Sequence, residues 1–349
     1  MSTHRLHATL VATFAASVFL FTGCAGESSG ELDRAQIALD AGRSDEALRL
    51  ALNHLARTNA RDPRATRIAA RSLLRSGHPE RAEIYYARLT DPTPEDLHDR
   101  ALGLLQLGRP QDAATILESI LRTEPNDPHA LQRLAAIRLS ESRHLEAAEL
   151  GERLARLSDF EIRGLTLQAS ALSQARRHDA AIAAYDRILA LDPRLETMPL
   201  PRPRFWADYA MSLLAFGRAT EAREHLLRAL ERDPSAELME LVGLSLQQEG
   251  RIPEAETWWL RAVERDPSLI DAWLGLGRVA LQDRRLDLAL ERFRKAVEIE
   301  SSSIEAHHGL AQVHAAAGRP VEAAGEAALA RSLREAPKTG SRLIFTPTR

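Results

Sequence analysis

Apolar positions recur at helical spacing along most of the chain, and the pattern itself recurs. It is plainest where Glu237–Pro267 is laid over Asp271–Ser301. Gly243 then falls on Gly277, Ala255 on Ala289, Trp259 on Phe293 and Ala262 on Ala296, each pair 34 residues apart. Residues three and four apart share one side of a helix, so each copy predicts a pair of amphipathic helices. A fixed period of this size is the mark of stacked helical hairpins. Gly277 and Ala289 are expected where the two helices of a hairpin cross closely. Trp273 and Phe293 are expected to fill the wider gaps on the buried face, and Ala296 to admit the next hairpin. Asp266-Pro267 closes the unit, because proline ends one helix and fits the start of the next.

One small residue opens the second helix of each hairpin: Ala47, Ala82, Ala113, Ala147, Ala181, Ala222, Ala255, Ala289 and Ala323. The successive spacings are 35, 31, 34, 34, 41, 33, 34 and 34, which predicts nine hairpins. Gly42, Gly77, Gly108, Gly217, Gly250 and Gly318 stand five residues before their alanine, where a left-handed helix C-cap is wanted. Ser142, Arg176 and Arg284 hold that place in repeats four, five and eight, and mark the weakest turns. The long spacing contains RLETMPLPRP, residues 194–203, whose three prolines favour extended polyproline geometry. This insert reads either as a tolerated loop, as a lip on a binding groove, or as a hinge between repeats one to five (31–193) and six to nine (204–336). The last helix presents mainly alanine on its outer face, and the tail 337–349 is expected to be disordered despite Leu343-Ile344-Phe345.

Trp273, Leu276, Gly277, Ala289, Phe293 and Ala296 together resemble the tetratricopeptide repeat. The resemblance implies an all-α, right-handed α-solenoid of about nine hairpins. It also implies a non-enzymatic scaffold that holds a segment of a protein partner in a concave groove lined by the first helix of each hairpin. Carried over position by position, that groove includes Arg64, Arg67, Arg71 and Arg75 of repeat two, His98 of repeat three and Gln132 of repeat four. Arg163 and Gln174 follow from repeat five, Met211 from six, Glu240 and Gln247 from seven, and Arg278 from eight. The four arginines of repeat two form one helix stripe. They read either as a subsite for an anionic group or as a charged face paired with acids of neighbouring helices. Chaperone-type repeats that clamp a terminal carboxylate use Lys and Asn in the groove. Lys here is confined to Lys295 and Lys338, and Asn to Asn53, Asn59 and Asn126, so that clamp is excluded. A self-associating structural module with no separate client is the alternative reading.

Composition changes the picture in two places. Net charge is −3, which gives no ground for nucleic-acid binding. The single cysteine, Cys24, excludes an internal disulfide. It stands at the end of an apolar run, Ala8–Phe21, too short for a comfortable membrane span. Phe21-Thr22-Gly23-Cys24 resembles a bacterial lipobox, with Phe21 where leucine is usual. The resemblance implies a lipoprotein signal peptide over 1–23, acylation at Cys24, a flexible tether over 24–30, and an outer-membrane site facing the periplasm. A plain secretory peptide cut near Cys24–Gly26 is the rival reading. No cofactor is indicated. His307, His308 and His314 lack a completing metal shell, and no nucleophile or phosphate-loop motif occurs. Trp206 and Trp259 are assigned to the core by their repeat positions, Phe205 and Trp258 to the surface.

Overall fold

The computed structural model describes residues 30–59 and 61–335, and within them the chain is all α-helix with one short 3₁₀ turn. Cys24, the signal-peptide segment and the tail 337–349 lie outside the described residues. The first hairpin is α1 (residues 30–40) and α2 (Ser44–Arg57), followed by α3 (Pro63–Arg75) with α4 (Pro79–Tyr86) and α5 (Pro94–Gln106) with α6 (Pro110–Thr123). Then come α7 (Pro128–Ser140) and α8 (His144–Ala155), α9 (Glu161–Gln174) and α10 (His178–Leu191), and α11 (Arg202–Ala215) and α12 (Ala219–Leu230). The series ends with α13 (Ala236–Gln248), α14 (Ile252–Arg265), α15 (Ile270–Gln282), α16 (Leu286–Ile299), α17 (Ile304–Ala316) and α18 (Pro320–Glu335). The shortened 31-residue spacing is explained by α4, which has only 8 residues.

The chain divides into two compact units, 1–137 and 138–349. The division does not fall at the Pro-rich insert, since one core cluster of the second unit runs through it from Ala155 to Val279. In that unit each helix packs on the next, and α11, α13, α15 and α17 also pack on one another in turn. The second helices make no comparable contact among themselves, so this stretch bends toward its first helices. The insert interrupts the run: α9 and α11 meet only narrowly, with Ser212 Oγ donating to Ser173 Oγ at 3.1 Å.

The repeated period has a more specific origin than a helix crossing. Trp259 on α14 is fully buried, and a Cβ on Gly275 of α15 would lie 2.9 Å from its ring, one on Gly243 of α13 closer still. Phe293 on α16 is seated the same way between Gly277 of α15, at 2.8 Å, and Gly309 of α17. Each ring therefore wedges between glycines of two successive first helices, and ties its own hairpin to the next. The buried Trp259 indole stays satisfied by donating to Glu240 O at 3.1 Å. Trp273 is a different case, for it is only half-buried and donates to Pro267 O. Farther back, Gly151 of α8 and Gly164 of α9 allow backbone to approach backbone, which sequence reading missed.

All nine turns within hairpins adopt the left-handed conformation, including those without glycine: Ser142 (φ 60°), Arg176 (φ 59°) and Arg284 (φ 60°). The hydrogen bonds are also the same, with Arg285 N–H donating to Ala280 O at 2.8 Å as Arg251 N–H does to Leu246 O at 2.9 Å. The period thus overrides local preference.

Two predictions follow from these seats and turns. Gly309→Ala gains up to about 1 kcal/mol of helix propensity but overpacks the Phe293 ring, so it should destabilise by about 2 kcal/mol. Gly325→Ala, on α18 with open space around it, should stabilise by about 0.5 kcal/mol or more; urea titrations that rank the two alike would refute the seat. Arg284→Gly relieves a left-handed side chain at about 1 kcal/mol and loses part of that to chain entropy, leaving a net gain of about 0.5 kcal/mol in thermal melts.

Candidate functional site: the first-helix face and a cavity at the insert

In the first unit the arginine stripe is already partnered. Arg64 pairs with Asp33 at 2.7 Å, and Arg75 donates to Leu39 O at 2.7 Å. Arg67 and Arg71 both bind the carboxylate of Asp96, and Arg71 also reaches Asp99 at 3.0 Å. The Asp96 side chain is fully buried, and it accepts from Thr93 N–H to close the capping box that starts α5. A buried carboxylate is tolerable because two guanidiniums and that N–H surround it. An incoming anion would have to displace it. Sequence reading missed Asp96 because it lies on the next hairpin, 25 and 29 residues from its partners. His98 is likewise engaged, with Asp127 at 3.2 Å and Arg133 at 3.4 Å. Gln132 is half-buried on α7.

In the second unit Arg163 is exposed and lies over the Phe160 ring at 5.7 Å, while Gln174 bonds Ser170 at 3.4 Å. Glu240 is half-buried and accepts the Ala272 N–H of the following first helix at 2.7 Å. Burial pushes its carboxyl up to about 7, and Asp271, Glu237 and Asp266 add to the rise against that hydrogen bond. Uncommitted side chains form a row along α11, α13 and α15. Met211 is 47 % exposed, Gln247 is half-buried, and Gln248, Arg278 and Gln282 are exposed, with no ion pair or hydrogen bond to their side chains among the described residues. Met211 and Arg278 hold equivalent repeat positions, as do Gln248 and Gln282 one turn later, so the row lies on one face.

The aromatic assignments need correction. Phe205 is 1 % exposed, at the position of Leu238, Ala272 and Ala306, and belongs to the core. Trp206 is the half-buried residue, stacked on His225 with ring centroids 5.6 Å apart. Trp258 is half-buried under the Arg261 guanidinium at 4.9 Å. His307 and His314 are buried, and His307 binds Glu326 at 2.6 Å and Ser301 O at 3.0 Å. No cluster of three metal-ligating side chains is present among the described residues.

Trp206 and His225 form a wall of a cavity of about 390 Å³ between the insert, α10, α11 and α12. Its rim carries Arg194, Arg202, Arg228 and Arg232 together with Glu231 and Asp233. Asp192 organises the insert by accepting from the N–H and hydroxyl of Thr197 at 2.7 and 2.8 Å. Burial would raise the Asp192 carboxyl, but those bonds and the N–H groups of Glu196 and Arg194 hold it below the usual carboxylate range.

A tetratricopeptide repeat model matches residues 32–96, 166–237 and 241–304, a second such model matches 94–137, and a third 304–328. No curated protein matches the sequence. Among solved structures the chain is similar to the crystal structure of MamA, with 22 % identity over 47 % of this chain and 92 % of that one, TM-score 0.40. It is also similar to a MamA structure marked MSR-1 C2, with 17 % identity over 50 % and 97 %, TM-score 0.39. A tetratricopeptide repeat protein from Parabacteroides merdae ATCC 43184 is similar at 13 % identity over 82 % and 98 %, TM-score 0.47.

Glu240 generates a pH prediction. Folding raises its pKa above the free value of 4.5, so its protonated form favours the folded state. That contribution is complete below pH 4.5 and is lost as pH rises through about 7. Glu240→Gln keeps an oxygen for Ala272 N–H and cannot ionise. Its stability advantage over the native chain should grow by on the order of 2 kcal/mol from pH 4.5 to 8, discounted for partial exposure. Parallel urea curves at the two pH values would count against it.

Proposed function

The chain belongs to the tetratricopeptide repeat family, and from that premise we propose that it is a non-catalytic adaptor tethered to the bacterial cell envelope. Interaction scaffolding is the general work of this fold. The finer reading is that a segment of a protein partner lies along α11, α13 and α15. The observation that carries it is the uncommitted row Met211, Gln248, Arg278 and Gln282. In the first unit, by contrast, charge is spent on internal pairs, as at Arg67 and Arg71. An apolar Met flanked by amides suits an extended peptide, because amide side chains both donate to and accept from backbone groups.

Tethering rests on the lipobox-like Phe21-Thr22-Gly23-Cys24. Acyl chains on Cys24 would anchor the chain, since two or three hold stably where one does not. No described helix is long and apolar enough to cross a membrane. Ala25 follows the cysteine, which is consistent with outer-membrane placement facing the periplasm. The alternative is a self-associating module of an envelope complex.

One experiment separates the readings. Photo-crosslinking residues are placed at Met211, Arg278 and Gln282, and as controls at Leu260 and Glu291 on second helices. The adaptor predicts one heterologous adduct from the first set and none from the controls. An adduct of twice the chain's own mass supports self-association, and adducts from the controls alone reject the face. In the same cells Cys24→Ser should move the protein from the membrane to the soluble fraction.

A further inference from the structure

The cavity at the insert stands apart from the first-helix face, and four arginines gather along its lining. Several arginines of the chain sit in close pairs: Arg64 with Asp33 at 2.7 Å, Arg218 with Glu221 and Arg251 with Glu254 at 2.6 Å each. At the cavity the pairs are loose or missing. Arg194 reaches Glu196 only at 3.8 Å, and Arg228 reaches Glu224 at 3.5 Å. Arg202 donates to Leu195 O at 3.4 Å, and the Arg232 side chain has no hydrogen-bond or ion-pair partner among the described residues. Four guanidiniums against Glu231 and Asp233 leave the lining with positive charge in excess.

A second, independent observation is backbone strain at the rim. Leu195 adopts φ 54° although it is a bulky residue, and its side chain is 4 % exposed in the core. Such a conformation is unfavourable by about 1 kcal/mol or more and persists only where its surroundings impose it. Here Leu195 N–H is held by Asp192 O at 3.0 Å and the Leu195 carbonyl by Arg202. Burial of Leu195 in the core thus bends the insert at the edge of the opening. The volume, about 390 Å³, falls in the range of small-molecule sites.

We propose that this cavity is a second binding site, for a small ligand whose phosphate or carboxylate group is held by Arg202, Arg228 and Arg232 and whose body lies against Trp206. Planar guanidiniums bind such oxyanions through paired N–H donors. Without ligand, Arg228 is steadied by its place in the last turn of α12, where the helix end carries partial negative charge. The ligand site and the partner face share α11, so occupancy of one touches the element that carries the other.

The test uses the full chain, with pyrophosphate and citrate as probes at constant ionic strength, followed by calorimetry and tryptophan fluorescence. Saturable one-to-one binding of at least one probe is expected at or below millimolar concentration. Pyrophosphate binding alone assigns a phosphate-bearing ligand, and citrate binding alone a carboxylate. Arg228→Ala with Arg232→Ala changes only exposed side chains. With melting unchanged, that double variant should weaken binding about tenfold or more, whereas Arg64→Ala should leave it as it was. Trp206→Phe should abolish the fluorescence response while calorimetric binding persists. Absence of saturation with both probes, affinity retained in the double variant, or a fluorescence response that survives Trp206→Phe would each overturn the proposal.

Discussion

A ring from one hairpin has to sit where its own first helix and the next hairpin's first helix have no side chain. Trp259 between Gly243 and Gly275, and Phe293 between Gly277 and Gly309, couple three consecutive first and second helices through a single buried group. A hairpin removed from its neighbours would leave that ring half in water, and burial of one aromatic side chain is worth about 1.5–3 kcal/mol. Stability therefore resides in junctions more than in hairpins, as expected for a linear array. The same constraint explains why the turns keep their left-handed form at Ser142, Arg176 and Arg284. Shifting the turn would rotate the second helix and lift the ring or its equivalent from its seat.

Charge follows a separate logic. Arg43, Arg109, Arg143, Arg218 and Arg251 each precede a second helix and pair with an acid three residues on, at 2.6 to 2.9 Å. Exposed pairs of this kind contribute only a few tenths of a kcal/mol each, so they are not what holds the fold. Asp96 is different in kind, since its buried carboxylate gathers Arg67, Arg71 and the start of α5. Removing one partner there would leave an uncompensated charge, which is far more costly than losing a surface pair. Beside these internal pairs, the row through Met211 and Arg278 and the rim of the cavity at the insert hold side chains that are uncommitted or loosely paired among the described residues.

The insert shows how a loop acquires structure. Extra residues after α10 widen the step between α9 and α11, and the core closes the gap by drawing in Leu195 at the expense of its backbone. Asp192 fixes the loop through Thr197, and Pro201 in extended geometry delivers the chain to the N-terminus of α11. The wedge left between α10 and α12 is the cavity. Its wall includes Trp206, because the same register that sends Phe205 inward turns Trp206 toward the opening.

Taken alone, the sequence determined the number of hairpins, their turns, the place of the insert and the family. These depend on local spacing: small residues every 34 positions, glycine five before alanine, and proline at the joints. The tertiary structure alone decided which polar groups are free, because ion pairs such as Arg67–Asp96 join residues 29 apart on neighbouring hairpins. It also decided which of Phe205 and Trp206 is core, since adjacent positions on a helix differ by a rotation that only the neighbouring helices resolve. The cavity, too, belongs to the tertiary level. It exists where the insert holds two hairpins apart, and no run of consecutive residues records that separation.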